Sequence, residues 1–264
     1  MNFYYPTMKV FPQSIVTFAV LLVTLGIGPS ATAQNAAPAI AVARSDASVA
    51  APKKGSARFF ELHESFLKRA KAGPIGVLFL GDSITEGWTK APHIWDHYFA
   101  KYQPANFGIG GDRTQHVIWR IENGELDGIS PKVLVLMLGT NNTGDNSAEE
   151  IAAADRKIVQ LIQERLPQTK ILLLAIFPRG PRKGKDGALE PWEKKMAIIR
   201  AVNADLAGLD NGKGIRFLDI NARFMTDDGA AIPKIIMPDQ LHPNAAGYQL
   251  WAEAVQPMLD EMMR

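Results

Sequence analysis

A three-layer α/β/α sandwich built on a five-stranded parallel sheet is the fold this sequence predicts. Two observations carry the prediction. Short, nearly continuous apolar runs alternate with stretches of helical periodicity, and each of the strongest runs is closed by a Gly or Pro. Runs without polar alternation belong to strands buried on both faces, and strands separated by helices pair in parallel.

The elements follow in order. Phe59, Leu62, Phe66 and Ala70 recur at helical spacing, and Gly73-Pro74 stops that helix. Ile75 to Leu80 is the first strand, ending at Gly81. A weaker strand is expected near Ala105-Asn106, and Val133 to Leu138, closed by Gly139, is the next. Ser147 and Glu150 form a capping box that opens a helix to about Leu166. Ile171 to Phe177 is a further strand, closed by Pro178, and a helix follows from about Trp192 to Leu209. Ile215 to Asp219 is the last strand. Asn244 caps a final helix whose inward face carries Leu250, Trp251, Ala254, Met258 and Leu259.

This domain is expected over 56–264. Ahead of it, residues 34–55 are rich in Ala, Ser and Pro without periodicity and read as a flexible lead-in. Residues 1–33 read as a secretory signal. Lys9 precedes the apolar run Ile15 to Ile27, Pro29 and Ser30 break it, and Ala31-Thr32-Ala33 supplies a small-residue cleavage site. The run is shorter than the ~20 residues of a spanning helix, so a secreted or periplasmic protein without stable membrane insertion after cleavage is expected.

The first 33 residues hold one Lys and no Arg or acid, which leaves 28 basic and 27 acidic residues of the chain's 29 and 27. That balance gives no reason to expect nucleic acid as a partner. The absence of cysteine excludes disulfides, thiolate metal sites and cysteine nucleophiles.

In parallel sheets reactive residues gather in the loops beyond the carboxyl ends of the strands. The first such loop is Gly81-Asp82-Ser83-Ile84-Thr85, with Ser83 at a strand-to-helix turn where it reads as a nucleophile or as a capping serine. Thr85 replaces the second glycine of a G-x-S-x-G elbow. The loop Asn106 to Asp112 carries Gly108, Gly110 and Gly111, but Arg113 stands where a dinucleotide loop needs its last glycine. In Gly139-Thr140-Asn141-Asn142, an Asn amide is able to donate to a developing oxyanion. Asp239 and His242 are three apart, close enough for the carboxylate to hold one imidazole nitrogen while the other faces a serine.

The remaining histidines read as structural. His93 and His97 have metal-ligand spacing, but no further ligand is obvious. The stretch Arg179 to Lys185 is basic and reads as a solvated loop or as a contact for an acidic substrate.

In order, Gly81-Asp82-Ser83, Gly110-Gly111-Asp112, Gly139-Thr140-Asn141-Asn142 and Asp239-x-x-His242 resemble the blocks of the SGNH (GDSL-type) hydrolases. The stretch from Asn106 to Thr114, with Trp119-Arg120, Asn123-Gly124-Glu125-Leu126 and Phe177-Pro178-Arg179-Gly180, is similar to the platelet-activating-factor acetylhydrolase catalytic-subunit branch. The resemblance spans about residues 74 to 257. It implies Ser83 as nucleophile, His242 as base and Asp239 as its orienter. It also implies an oxyanion hole from the Ser83 and Gly111 N–H groups and the Asn141 amide. Ile84 stands where the family name has Leu, and Asn142 where the commoner block has Asp, a change this branch shares.

The reaction so implied needs no cofactor or metal and passes through an acyl-enzyme. The expected substrate is a small ester, foremost an O-acetylated carbohydrate. A lipid esterase, a thioesterase or a non-catalytic carbohydrate-binding protein are the alternatives, and the resemblance permits a homodimer.

Overall fold

The computed structural model describes residues 46–184, 186–229 and 231–264. The expected signal, residues 1–33, lies outside the described residues.

Five parallel strands form the centre: β1 (Val77–Gly81), β2 (Pro104–Gly108), β3 (Val133–Met137), β4 (Lys170–Leu174) and β5 (Ile215–Leu218), in spatial order β2-β1-β3-β4-β5. Successive side chains of a strand point to opposite faces. Leu78, Leu80, Leu134, Leu136, Ile171 and Leu173 therefore pack on one side and Val77, Phe79, Val133, Val135, Leu172 and Leu174 on the other, all almost fully buried. Both sides being apolar is the reason these runs lack alternation.

Helices α1 (Ala57–Lys71), α4 (Thr114–Glu122), α5 (Ala148–Arg165) and α6 (Trp192–Ala207) bring the apolar stripes that cover the first face. Helices α3 (Pro92–Phe99) and α7 (Ala245–Met262) cover the second, where Trp88, Phe99, Tyr248 and Trp251 interlock. The remaining helix, α2 (Ser83–Glu86), is a single turn that continues into a 3₁₀ turn at Gly87–Lys90.

The helix signals act as expected. Ser147 Oγ accepts from Glu150 N at 3.3 Å while Ser147 N donates to Glu150 Oε2 at 2.8 Å, and Asn244 Oδ1 accepts from Gly247 N at 3.2 Å.

The packed domain begins earlier than residue 56. Ala47 is buried, Ala51 N donates to Gln115 O at 3.1 Å, and Lys53 Nζ donates to Gly110 O at 2.8 Å. Ala and Pro content alone suggested a free lead-in, but residues 46–55 find tertiary partners on the surface formed by α4 and the loop after β2.

Strand order reverses at β1, with β2 on one side and β3 on the other. In open α/β sheets such a switch point leaves a crevice beyond the carboxyl ends of the strands. Ser83 follows β1 and Asn141 follows β3, so both lie at its rim.

Candidate active site

Ser83 is placed by three contacts around α2. The Asp82 carboxylate caps the turn, with Oδ1 accepting from Ile84 N at 2.9 Å. From α7, the Tyr248 hydroxyl donates to Ile84 O at 2.7 Å. Glu86, at the other end of the turn, accepts from Gly110 N at 2.7 Å through Oε2 and pairs with Arg58.

The loop after β2 approaches closely. A Cβ at Gly108 would lie 2.2 Å from Glu86 N, so only glycine lets β2 end against α2. Gly111 has φ +73°, a conformation in which a side chain would be strained.

From the opposite side, the loop before α7 brings His242. Its Nε2 lies 2.9 Å from Ser83 Oγ, and its Nδ1 lies 2.7 Å from Asp239 Oδ2. A carboxylate accepts only, so Nδ1 carries the proton and Nε2 presents a lone pair to the serine hydroxyl. Asp239 is held in turn: its Oδ1 accepts from His242 N at 2.7 Å and Leu241 N at 3.1 Å. Gln240 between them has φ +62°, an uncommon conformation for a residue other than glycine, and its side chain donates to Ile232 O and Met237 O at 3.1 and 3.2 Å. Burial works against ionisation of Asp239, but the bonds from His242 and the charges of His242 and Arg182 win and hold its carboxyl well below the usual range.

Ser83, Asp239 and His242, from segments 159 and three residues apart, are therefore together. Gly111 and Asn141 both line one groove. The Asn141 amide is already engaged, donating to Asp112 O at 2.8 Å and to Asp82 Oδ2 at 3.3 Å. The sequence alone did not indicate these bonds.

Nor did it indicate the buried network beneath. Arg120 is fully buried; its Nε lies 3.0 Å from Asp112 Oδ2, and Nη1 pairs with Glu125 and donates to Phe107 O at 3.1 Å. Nη2 donates to Gly81 O at 3.3 Å, so one guanidinium joins the ends of β1 and β2. Lys53 Nζ reaches Asp112 Oδ1 at 2.7 Å from outside the expected domain.

His63 sits 3.2 Å from Glu125. His116 Nδ1 accepts from Arg113 N at 3.1 Å, and burial, reinforced by the charges of Lys53, Arg113 and Arg120, lowers its pKa to about 4. Asn142 is buried as a two-way connector, its Oδ1 accepting from Thr114 N at 3.0 Å and its Nδ2 donating to Thr114 Oγ1 at 3.0 Å. An Asp there would accept only.

Burial dominates two carboxyls at the floor of the site. It pushes Asp82 up to about 7 against the pull of the Ile84 N–H and of His242. It also raises Asp112, despite Arg120 and Lys53. Among the described residues no group of three or more His, Asp or Glu side chains is placed to hold a metal ion.

A serine–imidazole–carboxylate relay at the switch point of a 2-1-3-4-5 sheet is the arrangement of a class, the α/β serine hydrolases that lack the G-x-S-x-G elbow. Residues 79–250 match the model of the GDSL-like Lipase/Acylhydrolase family, and the chain belongs to that family. It is 37% identical over 206 residues to platelet-activating factor acetylhydrolase IB subunit alpha1 of Homo sapiens, an alignment covering 78% of this chain and 84% of that one. A GDSL-like lipase from Bacteroides thetaiotaomicron superposes with a TM-score of 0.61 at 17% identity, covering 75% and 97% of the two chains. An acetyl-xylooligosaccharide esterase mutant from Geobacillus Stearmophilus does so with a TM-score of 0.54 at 19% identity, covering 72% and 96%. The chain is thus an ester-hydrolysing enzyme of GDSL type.

Proposed function

We propose that the protein is an exported serine acetylesterase acting on O-acetylated carbohydrate. The observation that supports the chemistry most directly is the relay of 2.9 Å from Ser83 Oγ to His242 Nε2 and 2.7 Å from His242 Nδ1 to Asp239 Oδ2.

In this reading the Ser83 oxygen attacks the ester carbonyl as its proton passes to His242 Nε2. Negative charge on the tetrahedral oxygen is met by the Ser83 and Gly111 N–H groups and by the Asn141 amide. Asn141 exchanges its longer bond, to Asp82, for one to the oxyanion. His242 returns the proton to the departing alkoxide, leaving an acyl-Ser83. Water, deprotonated by His242, then releases the acid and restores the serine. Asp239 stays ionised and stabilises the imidazolium in each half-reaction.

Acetyl preference is supported by the similarity to a protein named as an acetylhydrolase. A carbohydrate alcohol is supported by the polar wall of the groove beside Gly111 and Asn141. Export rests on the sequence of residues 1–33; no described helix is long and apolar enough to cross a membrane. The description of the matching family, which names lipases, favours a second reading, a lipid-directed esterase.

Hydrolysis of p-nitrophenyl acetate, butyrate and octanoate, with a Ser83→Ala control, tests the proposal. Activity highest on acetate and abolished by the substitution is expected. An optimum at eight carbons, or turnover that survives Ser83→Ala, would overturn it.

A further inference from the structure

The groove that begins at Gly111 and Asn141 holds about 590 Å³, far more than an acetyl group fills. With the carbonyl oxygen at those donors, the alcohol portion of the ester has this space to occupy. Its wall is unusual in charge. Five cations line it, namely Arg113, Arg179, Arg182, Lys183 and Lys195, against Asp145 and Glu190, a surplus of three positive charges. Leu241 is the only apolar side chain larger than a methyl among its lining residues.

The internal ion pairs do not exhaust this charge. Asp145 is taken by Arg113 at 2.5 Å. Glu190 faces three cations at once, Arg179 at 2.5 Å, Lys195 at 2.7 Å and Arg182 at 3.9 Å. One carboxylate neutralises one of them. Lys183 is exposed and pairs with no acid among the described residues. Arg179 is held by Thr140 O at 3.2 Å and by Glu190, whereas the Arg182 side chain has only the longer contacts to Glu190 and Asp239, at 3.9 and 3.6 Å, among the described residues. A guanidinium held only by long contacts keeps donors for a further anion, and its fork geometry fits a carboxylate.

We propose that this groove is a subsite for an anionic group on the alcohol side of the ester, and that the substrate is an O-acetylated saccharide carrying a carboxylate. The inference rests on the esterase reading above and adds the charge of the substrate to it. A polar, cationic wall offers an alkyl chain little to pack against, so it favours a sugar acid over a lipid. The cations are also near enough to act on the chemistry: Arg182 Nη2 lies 3.6 Å from Asp239 Oδ2, so an anion bound there adjusts the field at the relay.

The test compares a mono-O-acetyl hexuronate with the matching mono-O-acetyl hexoside, identical except for a carboxylate in place of a hydroxymethyl. The quantity read is the ratio of kcat/KM values. One charge-assisted contact gives about a tenfold preference for the uronate, falling towards unity as salt is raised. Reversing one wall charge with Lys183→Glu lowers the ratio, and Arg113→Gln does the same.

Equal kcat/KM values for the pair, or a ratio indifferent to salt and to both substitutions, would overturn the inference while leaving the esterase intact. A phosphate-bearing lipid ester preferred over both sugars would also overturn it. Failure to hydrolyse either sugar or p-nitrophenyl acetate would instead remove the esterase reading beneath it.

Discussion

Asp82 is the group whose ionisation most directly links the stability of this protein to its active site. Its carboxyl is 1% exposed, with burial raising its pKa from the ordinary 3.8 to about 7. Below 3.8 the folded and unfolded chains both hold the proton. Between 3.8 and about 7 the folded chain keeps a proton that the unfolded chain has released, so stability falls as pH rises through this window. Above about 7 both forms are ionised and the loss is complete. At 1.36 kcal/mol per pH unit the whole window is worth about 4 kcal/mol, and the part above pH 5 about 3 kcal/mol.

Asp82→Asn removes the titration but keeps an oxygen to accept from Ile84 N. Urea unfolding followed by tryptophan fluorescence at pH 5 and pH 8 measures the effect in both proteins. Wild type should lose about 3 kcal/mol more than the variant between the two pH values. Asp155 is fully buried with no hydrogen-bond partner for either oxygen among the described residues, and its pKa is raised by burial and by the Asp82 charge. Because the Asp82 charge is one cause of that shift, its titration does not cancel, and both proteins are compared in an Asp155→Asn background. A difference below about 1 kcal/mol would refute the claim that burial keeps Asp82 protonated up to neutral pH.

Two further substitutions probe the machinery around Ser83. Asn141→Ala should reduce kcat on the order of 10²–10³-fold with little change in KM, because the proposed mechanism uses its amide in the transition state; steady-state kinetics on p-nitrophenyl acetate reads this. Lys53→Met leaves Asp112 with Arg120 and the His116 ring at 3.7 Å, and frees Gly110 O, now bonded at 2.8 Å. A loss of about 1–3 kcal/mol in urea unfolding is expected, with a fall in kcat as the Gly111 donor loosens.

The fold was legible because its main determinant is burial on both sides of a sheet. Val77 to Leu80 and Val133 to Met137 are apolar at every position since each alternate residue meets a different helix layer. The caps at Ser147 and Asn244 were legible because they are local, with donor and acceptor within a few residues. The weak strand at Ala105 was harder: β2 is an edge strand, paired on one side only, so its pattern is only partly apolar. Residues 46–55 were read as a free lead-in because their partners, Gln115 and Asp112, lie more than fifty residues away and composition carries no trace of them.

The same distinction governs the site. Ser83, Gly111, Asn141, Asp239 and His242 fall in the short blocks that carry the resemblance, so the sequence could single them out as candidates. What supports them does not. Arg120 has the composition of any helical surface arginine, yet it is buried between two strand ends and faces Asp112 and Glu125. Arg179 likewise opens a stretch that sequence reads as a basic loop, but it is buried against Thr140 O at 3.2 Å and anchors the loop that carries Asn141. A buried guanidinium survives only where acceptors converge on it from separate segments. That convergence is a property of the folded chain, so these arginines become visible as supports of the loops around Ser83 and Asn141 only after the sheet has brought its carboxyl ends together.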